Sequence, residues 1–265
     1  MRLGGKVGIV VGAGQTPGDT IGNGRAAAVL FAREGARVLL VDRDGQRAEE
    51  TAAAIRAEGG VAQSFVGDWT RAEDCKAYAA QCVAAWGRID FLHNNVGIGA
   101  GDGPPAELSE EVYDRIMRVN LKGCLLSCQA VLPAMRAQTS GSIVNISSIA
   151  AVAYAPGLTA YKLSKIGLNM LGTQLALTNA KYGIRVNTIM PGLIDTPMAI
   201  EGQAQARQVS KAELRAARDK RVPLKGKMGT AWDVAYAALF LHSDESAFIT
   251  AAALPVDGGQ SARIG

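Results

Sequence analysis

Histidine is nearly absent from this chain: His93 and His242 are the only two. A catalytic zinc needs a cluster of His, Cys and Glu ligands. No such cluster is visible, so metal-free chemistry is expected. His93 reads as a packed neighbour of the fourth apolar run. Cysteine is equally sparse. Cys75, Cys82, Cys124 and Cys128 all sit in helical patterns and form no Cys-x2-Cys pair. They read as small, reduced core residues of a cytosolic protein, with a metal pair at Cys124 and Cys128 as the other reading. No run approaches the roughly 20 apolar residues of a membrane span. The short run Val7–Val11 after Met1–Lys6 does not make a secretory leader. A cytoplasmic protein without membrane contact is therefore expected. The net charge of +4 is mild and its basic residues are spread along the chain, which argues against a nucleic-acid surface.

Apolar runs are present in a regular rhythm. The 265 residues are 48% hydrophobic, enough for one large domain with a sizeable core. Strands are expected at Val7–Val11, Arg37–Val41, Val61–Val66, Phe91–Asn94, Ser142–Ile146, Arg185–Ile189 and Ala252–Val256. Helical patterns lie between them, near Gly24–Glu34, Gly45–Glu58, Ala72–Trp86, Ser109–Ala137, Ala160–Tyr182 and Ala231–Leu241. This alternation predicts an α/β doubly wound fold: one parallel seven-stranded sheet flanked by helices, in a single domain over 1–265. The stretch 196–227 breaks the rhythm. It is polar, helix-prone and rich in Arg and Lys, and it follows a strand, where a lid belongs. Its charge reads as a solvated helix face, with an anionic substrate as the alternative.

Tyr161 and Lys165 stand four residues apart on an expected helix and so share one face. An ammonium beside a phenol favours the phenolate, so Tyr161 is expected to exchange protons near neutral pH. Ser148 lies thirteen residues upstream, just after a buried strand. A hydroxyl at a strand end and a phenol on the next helix can converge on one substrate oxygen.

After the first strand comes a glycine-rich loop, with Gly12, Gly14, Gly18, Gly22 and Gly24 leading into a helix. Glycines there let a backbone approach a pyrophosphate closely, and the helix offers free N–H groups and a positive dipole end. Asn23 lies within the last glycine pair. Asp42 ends the second strand, where a carboxylate accepts hydrogen bonds from ribose hydroxyls and repels a 2′-phosphate. NAD is expected over NADP. The neighbouring Arg43 tempers that reading, because an arginine pairs with phosphate.

With these motifs in order, the chain from Lys6 to Gln260 resembles the short-chain dehydrogenase/reductase family. Gly12…Gly22-x-Gly24 resembles the family's cofactor loop. Asp68, followed by Trp69, resembles the acidic residue that contacts the adenine. Asn94-Asn95-Val96-Gly97 is similar to the motif that supports the central sheet and passes under the cofactor. Asn120, Ser148, Tyr161 and Lys165 match the catalytic tetrad. Pro191-Gly192-Leu193-Ile194-Asp195-Thr196 is similar to the segment covering the nicotinamide, where Thr196 would bond the carboxamide. Asp257-Gly258-Gly259 resembles the C-terminal signature. Two departures stand out. Nine residues separate Gly12 from Gly22 where the family has three, so Gln15–Thr20 form an extra loop. Val11 also precedes Gly12 where threonine is usual. Long glycine loops occur in the enoyl reductase branch too, but that branch places six residues between Tyr and Lys, and this chain has three.

The resemblance implies reversible hydride transfer between NAD and a secondary alcohol or ketone. Tyr161 would be the acid–base group and Ser148 would orient the substrate oxygen. Lys165 would hold the nicotinamide ribose, and Asn120 would hold a proton-relaying water. Ile98, Ala150, Val152 and Leu193 are expected to shape the substrate pocket, with Tyr154 lining it or merely packing. Extra apolar positions on two helices, Met170, Leu171 and Leu175 among them, together with the family's habit, suggest a homotetramer. The rival readings are an NADPH-dependent 3-oxoacyl-carrier-protein reductase, a dihydrodiol dehydrogenase and a non-catalytic NAD-sensing protein on the same fold.

Overall fold

Alternating side chains along the inner strands decide the layering. In β1 (Val7–Val11), Val7, Ile9 and Val11 face one core and Val10 faces the other. In β2 (Arg37–Asp42), Leu39 and Val41 join the first set, and Val38 and Leu40 the second. Strands apolar on both faces must be covered on both faces, which is the signature of a parallel sheet between helix layers. The computed structural model describes residues 1–263; 264 and 265, the end of the expected 1–265 domain, lie outside the described residues.

The main sheet also contains β3 (Val61–Val66), β4 (Phe91–Asn94), β5 (Gly141–Ile146), β6 (Ile184–Pro191) and β9 (Ala253–Val256). Its order is β3-β2-β1-β4-β5-β6-β9, parallel throughout. The seven expected strands are all there. A separate two-stranded pair, β7 (Ile194–Asp195) with β8 (Gly229–Thr230), pins the two ends of the lid segment together.

Helices α1 (Asn23–Arg33), α2 (Gly45–Ala57) and α9 (Ala231–His242) pack on one face. On the other lie α3 (Ala72–Trp86), α5 (Gly123–Gln138) and α6 (Thr159–Asn179). The chain runs outward from β1 in one direction through β2 and β3, then returns to start β4 on the other side of β1. That reversal opens a crevice at the C-terminal ends of β1 and β4, the place where doubly wound sheets bind ligands.

Two helical expectations are refined. The pattern read as one helix over Ser109–Ala137 is α4 (Glu110–Met117) and α5, joined by a widened π turn at Arg118–Lys122. The segment 196–227, expected to be a lid, resolves into α7 (Pro197–Arg207) and α8 (Lys211–Asp219), packed on a small core of Ile200, Ala204, Leu214, Val222 and Met228. No helix among the described residues is long and apolar enough to cross a membrane.

Candidate active site

The floor of the site is built at the end of β5. Ser148 leaves the strand and caps a short turn, its Oγ accepting from the Ala150 N–H at 3.1 Å. Ser147 donates to the Lys165 carbonyl at 3.1 Å, and Lys165 Nζ donates to the Ile146 carbonyl at 2.9 Å. Backbone and head group of Lys165 are thus both tied to the strand end. Lys165 is only 2% exposed and pairs with no acidic group among the described residues. Burial pushes its pKa down to about 8. Its Nζ lies 5.4 Å from the Tyr161 ring centroid, so the spacing of four does bring the two together.

The expected lowering of the Tyr161 pKa is not what the protein alone produces. Burial pushes the phenol up, and hydrogen bonding with Ser148 pulls only partly against it. The physical reason is desolvation of the phenolate, with the Lys165 ammonium committed to a backbone carbonyl.

Asn120 sits in the π turn and is fully buried. Its Oδ1 accepts from the Ile98 N–H at 2.8 Å, and its Nδ2 donates to the Ile98 carbonyl at 2.9 Å and to Ser164 Oγ at 3.0 Å. Ser164 in turn donates to the Tyr161 carbonyl at 2.7 Å. Both amide hydrogens of Asn120 are therefore used. The side chain thereby holds the Gly97–Ile98 segment against α6. The π turn itself, in which the Gly123 N–H reaches back to the Arg118 carbonyl, rearranges the carbonyls on this side of the helix.

Gly97 runs directly over this floor. A Cβ there would lie 3.0 Å from Lys165 Nζ and 3.9 Å from Asn120 Oδ1. The bare backbone at 97 leaves room beside the cation. Two further residues flank it: Asn95 donates from Nδ2 to the Gly12 carbonyl at 3.2 Å, and Val96 packs against Gly12.

At the crevice, Gly12 takes φ +77° and Gly24 presses against it. A Cβ on Gly24 would sit 1.9 Å from the Gly12 carbonyl oxygen, so only glycine lets α1 start this close to β1. α1 begins at Gly22 without a side-chain cap and without an acidic residue in its first turn. By contrast, α2, α4 and α8 are capped by Asp44, Ser109 and Ser210. Beside the open end, Thr20 Oγ1 and Asn23 Oδ1 are buried with no partner. An uncapped helix end with orphaned polar atoms suits a pyrophosphate. Asp42 stands alongside, its carboxylate accepting from the N–H groups of Gly14 at 2.9 Å and Asp44 at 3.0 Å. Arg43 is exposed. Asp68 is half-buried and accepts from the Thr70 N–H at 2.8 Å. The Trp69 indole is buried against Gly123 and serves packing.

On the far side, Gln260 accepts from the Leu193 N–H at 2.7 Å, and Gly192 is pressed against Asp257. The C-terminal Asp257–Gln260 segment thus fixes Pro191–Ile194. Thr196 is buried and makes no side-chain cap bond to α7, leaving its hydroxyl for a ligand. Ala150 is buried and Leu193 and Ile98 are half-buried, while Val152 is 59% and Tyr154 89% exposed. The loop before α6 carries Tyr154 and Val152 outward.

The extra loop has a definite place. Gln15 stitches it internally, accepting from the Gly22 N–H at 3.0 Å and donating to the Thr20 carbonyl at 2.9 Å. Its outer end docks on the lid. Gly18 abuts Pro197 and Glu201, and Asp19 pairs with Lys211 at 3.3 Å and Arg215 at 3.4 Å. Lys211 also pairs with Glu201 at 2.7 Å, and Arg215 with Asp195 at 3.0 Å. The roles of Gly14 and Gly18, open in the sequence, separate: Gly14 lies on Asp42 and Gly18 on the lid. A different cavity of about 480 Å³, lined by Lys6, Asp90, Ser142, Arg185 and Phe248, lies at the opposite, N-terminal end of the strands and contains none of the tetrad.

Known proteins are similar to this chain in sequence and in fold. The family model described as enoyl-(acyl carrier protein) reductase matches residues 19–261. The chain is 37% identical to 2-(S)-hydroxypropyl-CoM dehydrogenase 3 of Xanthobacter autotrophicus, over 92% of this chain and 94% of that one. It is 36% identical to the 3-oxoacyl-(acyl-carrier-protein) reductase FabG of Thermotoga maritima, over 98% and 99%. Its fold matches the crystal structure of an NAD+-bound xylitol dehydrogenase with a TM-score of 0.89 at 31% identity, covering 98% of this chain and 100% of that one. With identities above 30% over nearly the whole length and a matching fold, this chain belongs to the short-chain dehydrogenase/reductase family of oxidoreductases.

Proposed function

We propose that this chain transfers hydride reversibly between NAD and a small secondary alcohol or its ketone, with Tyr161 as the general acid–base group. The observation that carries this reading is the convergence of Ser148, Tyr161 and Lys165 beside Gly97, at the mouth of the glycine-lined crevice. The residues present fit a dinucleotide. The open end of α1, with Gly12, Gly14, Gly22 and Asn23, would hold the pyrophosphate. Asp42 would take the adenosine ribose, Asp68 and the Trp69 backbone the adenine, and Asn95–Gly97 the underside. Pro191, Gly192, Ile194 and Thr196 would cover the nicotinamide.

When bound, the nicotinamide supplies hydride uptake or return and, when oxidised, a positive charge beside the phenol. In the oxidation direction the substrate oxygen gives its proton to Tyr161 as hydride leaves the carbinol carbon; in reduction Tyr161 returns it. Ser148 donates to the substrate oxygen and steadies its developing charge. Lys165, fixed by Ile146, adds its cation where the phenolate forms. The positive ring, when bound, would join the Lys165 cation in offsetting the burial that keeps the phenol high in the protein alone. Ala150, Leu193 and Ile98 supply apolar walls for a cyclic or aromatic carbinol.

NAD is preferred in this reading because the Asp42 carboxylate faces Gly14 where a 2′-phosphate would otherwise sit. The similarity to a 3-oxoacyl-(acyl-carrier-protein) reductase supplies the rival, an NADPH-dependent acyl reductase with the basic lid meeting an acidic carrier. We also propose a cytoplasmic homotetramer. Four buried free thiols suit a reducing compartment. Leu163, Ile166, Met170 and Leu177 form an exposed apolar stripe along α6 for a second copy, whereas Leu175 is buried and Leu171 packs on the core.

Cofactor reduction measured with NAD and with NADP, across cyclic, aromatic and acyl secondary alcohols, tests the proposal. Turnover with NAD and not NADP is expected. Turnover confined to NADP overturns the Asp42 argument and favours the acyl reductase. Tight NAD binding with no turnover on any alcohol favours the sensing protein.

A further inference from the structure

We infer that Asp102, on the loop between β4 and α4, is the positioning residue for Tyr161; the inference rests on Tyr161 being the acid–base group. Tyr161 occupies the first turn of α6, where a helix has N–H groups without internal partners and frays most easily. α6 supplies no cap of its own. Its N-cap residue is Leu158, with no side-chain bond, and its first turn has no acidic residue.

The missing partners come from 58 residues upstream. Asp102 Oδ2 accepts from the Tyr161 N–H at 2.8 Å, and Oδ1 from the Ala160 N–H at 3.1 Å. The Gly103 carbonyl accepts from the Thr159 hydroxyl at 2.7 Å and from the Thr159 N–H at 3.4 Å. One carboxylate and one carbonyl thus take the first three N–H groups of α6, and a negative charge lies at the positive end of the helix.

The loop bearing Asp102 is itself held. Arg115 of α4 donates to the Ala100 carbonyl at 2.5 Å, and the Asp102 N–H donates to the Gly99 carbonyl at 3.3 Å. Gly99 lies against the Tyr161 ring, a Cβ there falling 3.4 Å from Cδ2. With Ser164 on the Tyr161 carbonyl, both backbone polar groups of Tyr161 are pinned, one from each side. Lys165, one turn further on, is fixed independently by Ile146. The distance between phenol and ammonium is therefore set by Asp102 at one end and β5 at the other.

Asp102→Ala removes both acceptors; Asp102→Asn keeps one. The wild type and both variants are compared by kcat, KM, the pH profile of kcat, NAD affinity by fluorescence titration, and hydrogen exchange of α6 amides. For Asp102→Ala, kcat is expected to fall by about 10²-fold, the scale of a small displacement of a reacting group. NAD affinity should hold, and the kcat profile should move along the pH axis. Asp102→Asn should recover part of the loss. Faster exchange should be confined to the Ala160 and Tyr161 amides. Unchanged kcat and pH profile in Asp102→Ala, even with a lower melting temperature, overturn the inference, because a plain cap would cost only stability. Should Asp102→Ala not fold, the same readings on Asp102→Asn decide. If the wild type turns over no alcohol, the proposed reaction fails on its own, and exchange still decides: protection retained at Tyr161 in the variants overturns the positioning role, and protection lost at Ala160 and Tyr161 alone sustains it.

Discussion

Lys165 and Lys211 carry the same charge and meet opposite treatment. Lys165 is 2% exposed, bonded to one backbone carbonyl and to no carboxylate, and burial drives it down to about 8. Lys211 lies in the lid, its side chain 42% exposed, between the carboxylates of Glu201 and Asp19; their hydrogen bonds and charge raise its pKa. The floor of the site is held by buried hydrogen bonds to uncharged backbone carbonyls, and the Lys165 charge meets no counter-charge there. The lid is held by exposed ion pairs, which are individually weak and screened by salt. The floor of the site and the segment docked beside it are thus held by different interactions.

The largest way to break this contrast is at the phenol. Tyr161→Phe is expected to lower turnover by about 10³-fold and to leave NAD affinity unchanged, read from kcat and a binding titration. A variant with normal turnover would remove Tyr161 from the chemistry.

Lys165→Met sharpens the comparison by separating function from stability. Turnover should drop by about 10²-fold. The folded pKa of Lys165 lies below its unfolded value, so the native state binds fewer protons between about pH 8 and 10.5 and gains stability as pH rises through that window. Below it the buried charge is a full penalty. Lys165→Met should therefore raise the melting temperature at pH 7 and lose that advantage as pH climbs. A variant less stable than wild type at pH 7 would show that the bond to Ile146 outweighs burial.

Backbone contact is the next test. Gly24→Ala places a methyl against the Gly12 carbonyl, a rigid neighbour, and should cost about 1–3 kcal/mol in chemical denaturation along with weaker NAD binding. The buried histidines give a related effect on the acid side. His93 is fully buried with both ring nitrogens unpartnered, and burial pushes it down to about 3. The unfolded chain binds that proton first, so stability should fall by about 1.4 kcal/mol for each pH unit between about 6.5 and about 3, from this group alone. His93→Leu should flatten the dependence of melting temperature on pH.

The smallest effect belongs to the lid. Asp19→Ala cuts the insertion loop from Lys211 and Arg215 and should speed NAD release roughly two- to fivefold at low salt. The difference from wild type should vanish in 1 M salt. A release rate unaffected by the variant would make the docking of this loop incidental.

Strand runs and the Tyr161–Lys165 spacing were legible because period and apolar content are local. The lid's polarity and position were legible too, though not its division into α7 and α8, which follows from a small separate core. Asp102 was not. A carboxylate that caps a helix from 58 residues upstream leaves no local pattern to read. In the structure Thr159 is already helical and its hydroxyl donates to Gly103. The direction of the Tyr161 shift also escaped, because spacing reports a neighbour and not the loss of water around it. Leu175, expected on a subunit face, is core because α6 rolls it toward β6 and α5.

Cys75, Cys82, Cys124 and Cys128 are all free and each is at most 1% exposed. Burial lifts the Cys82 thiol to about 12, so at neutral pH it is scarcely ever a thiolate. Spread over α3 and α5 beneath the sheet, these thiols meet an alkylating reagent only when the fold comes apart. Their labelling is thus a clock for opening: its rate in the native protein reports the excursions of the whole core, and a bound dinucleotide that steadies the crevice should be visible as a slowing of that clock, with no substrate needed.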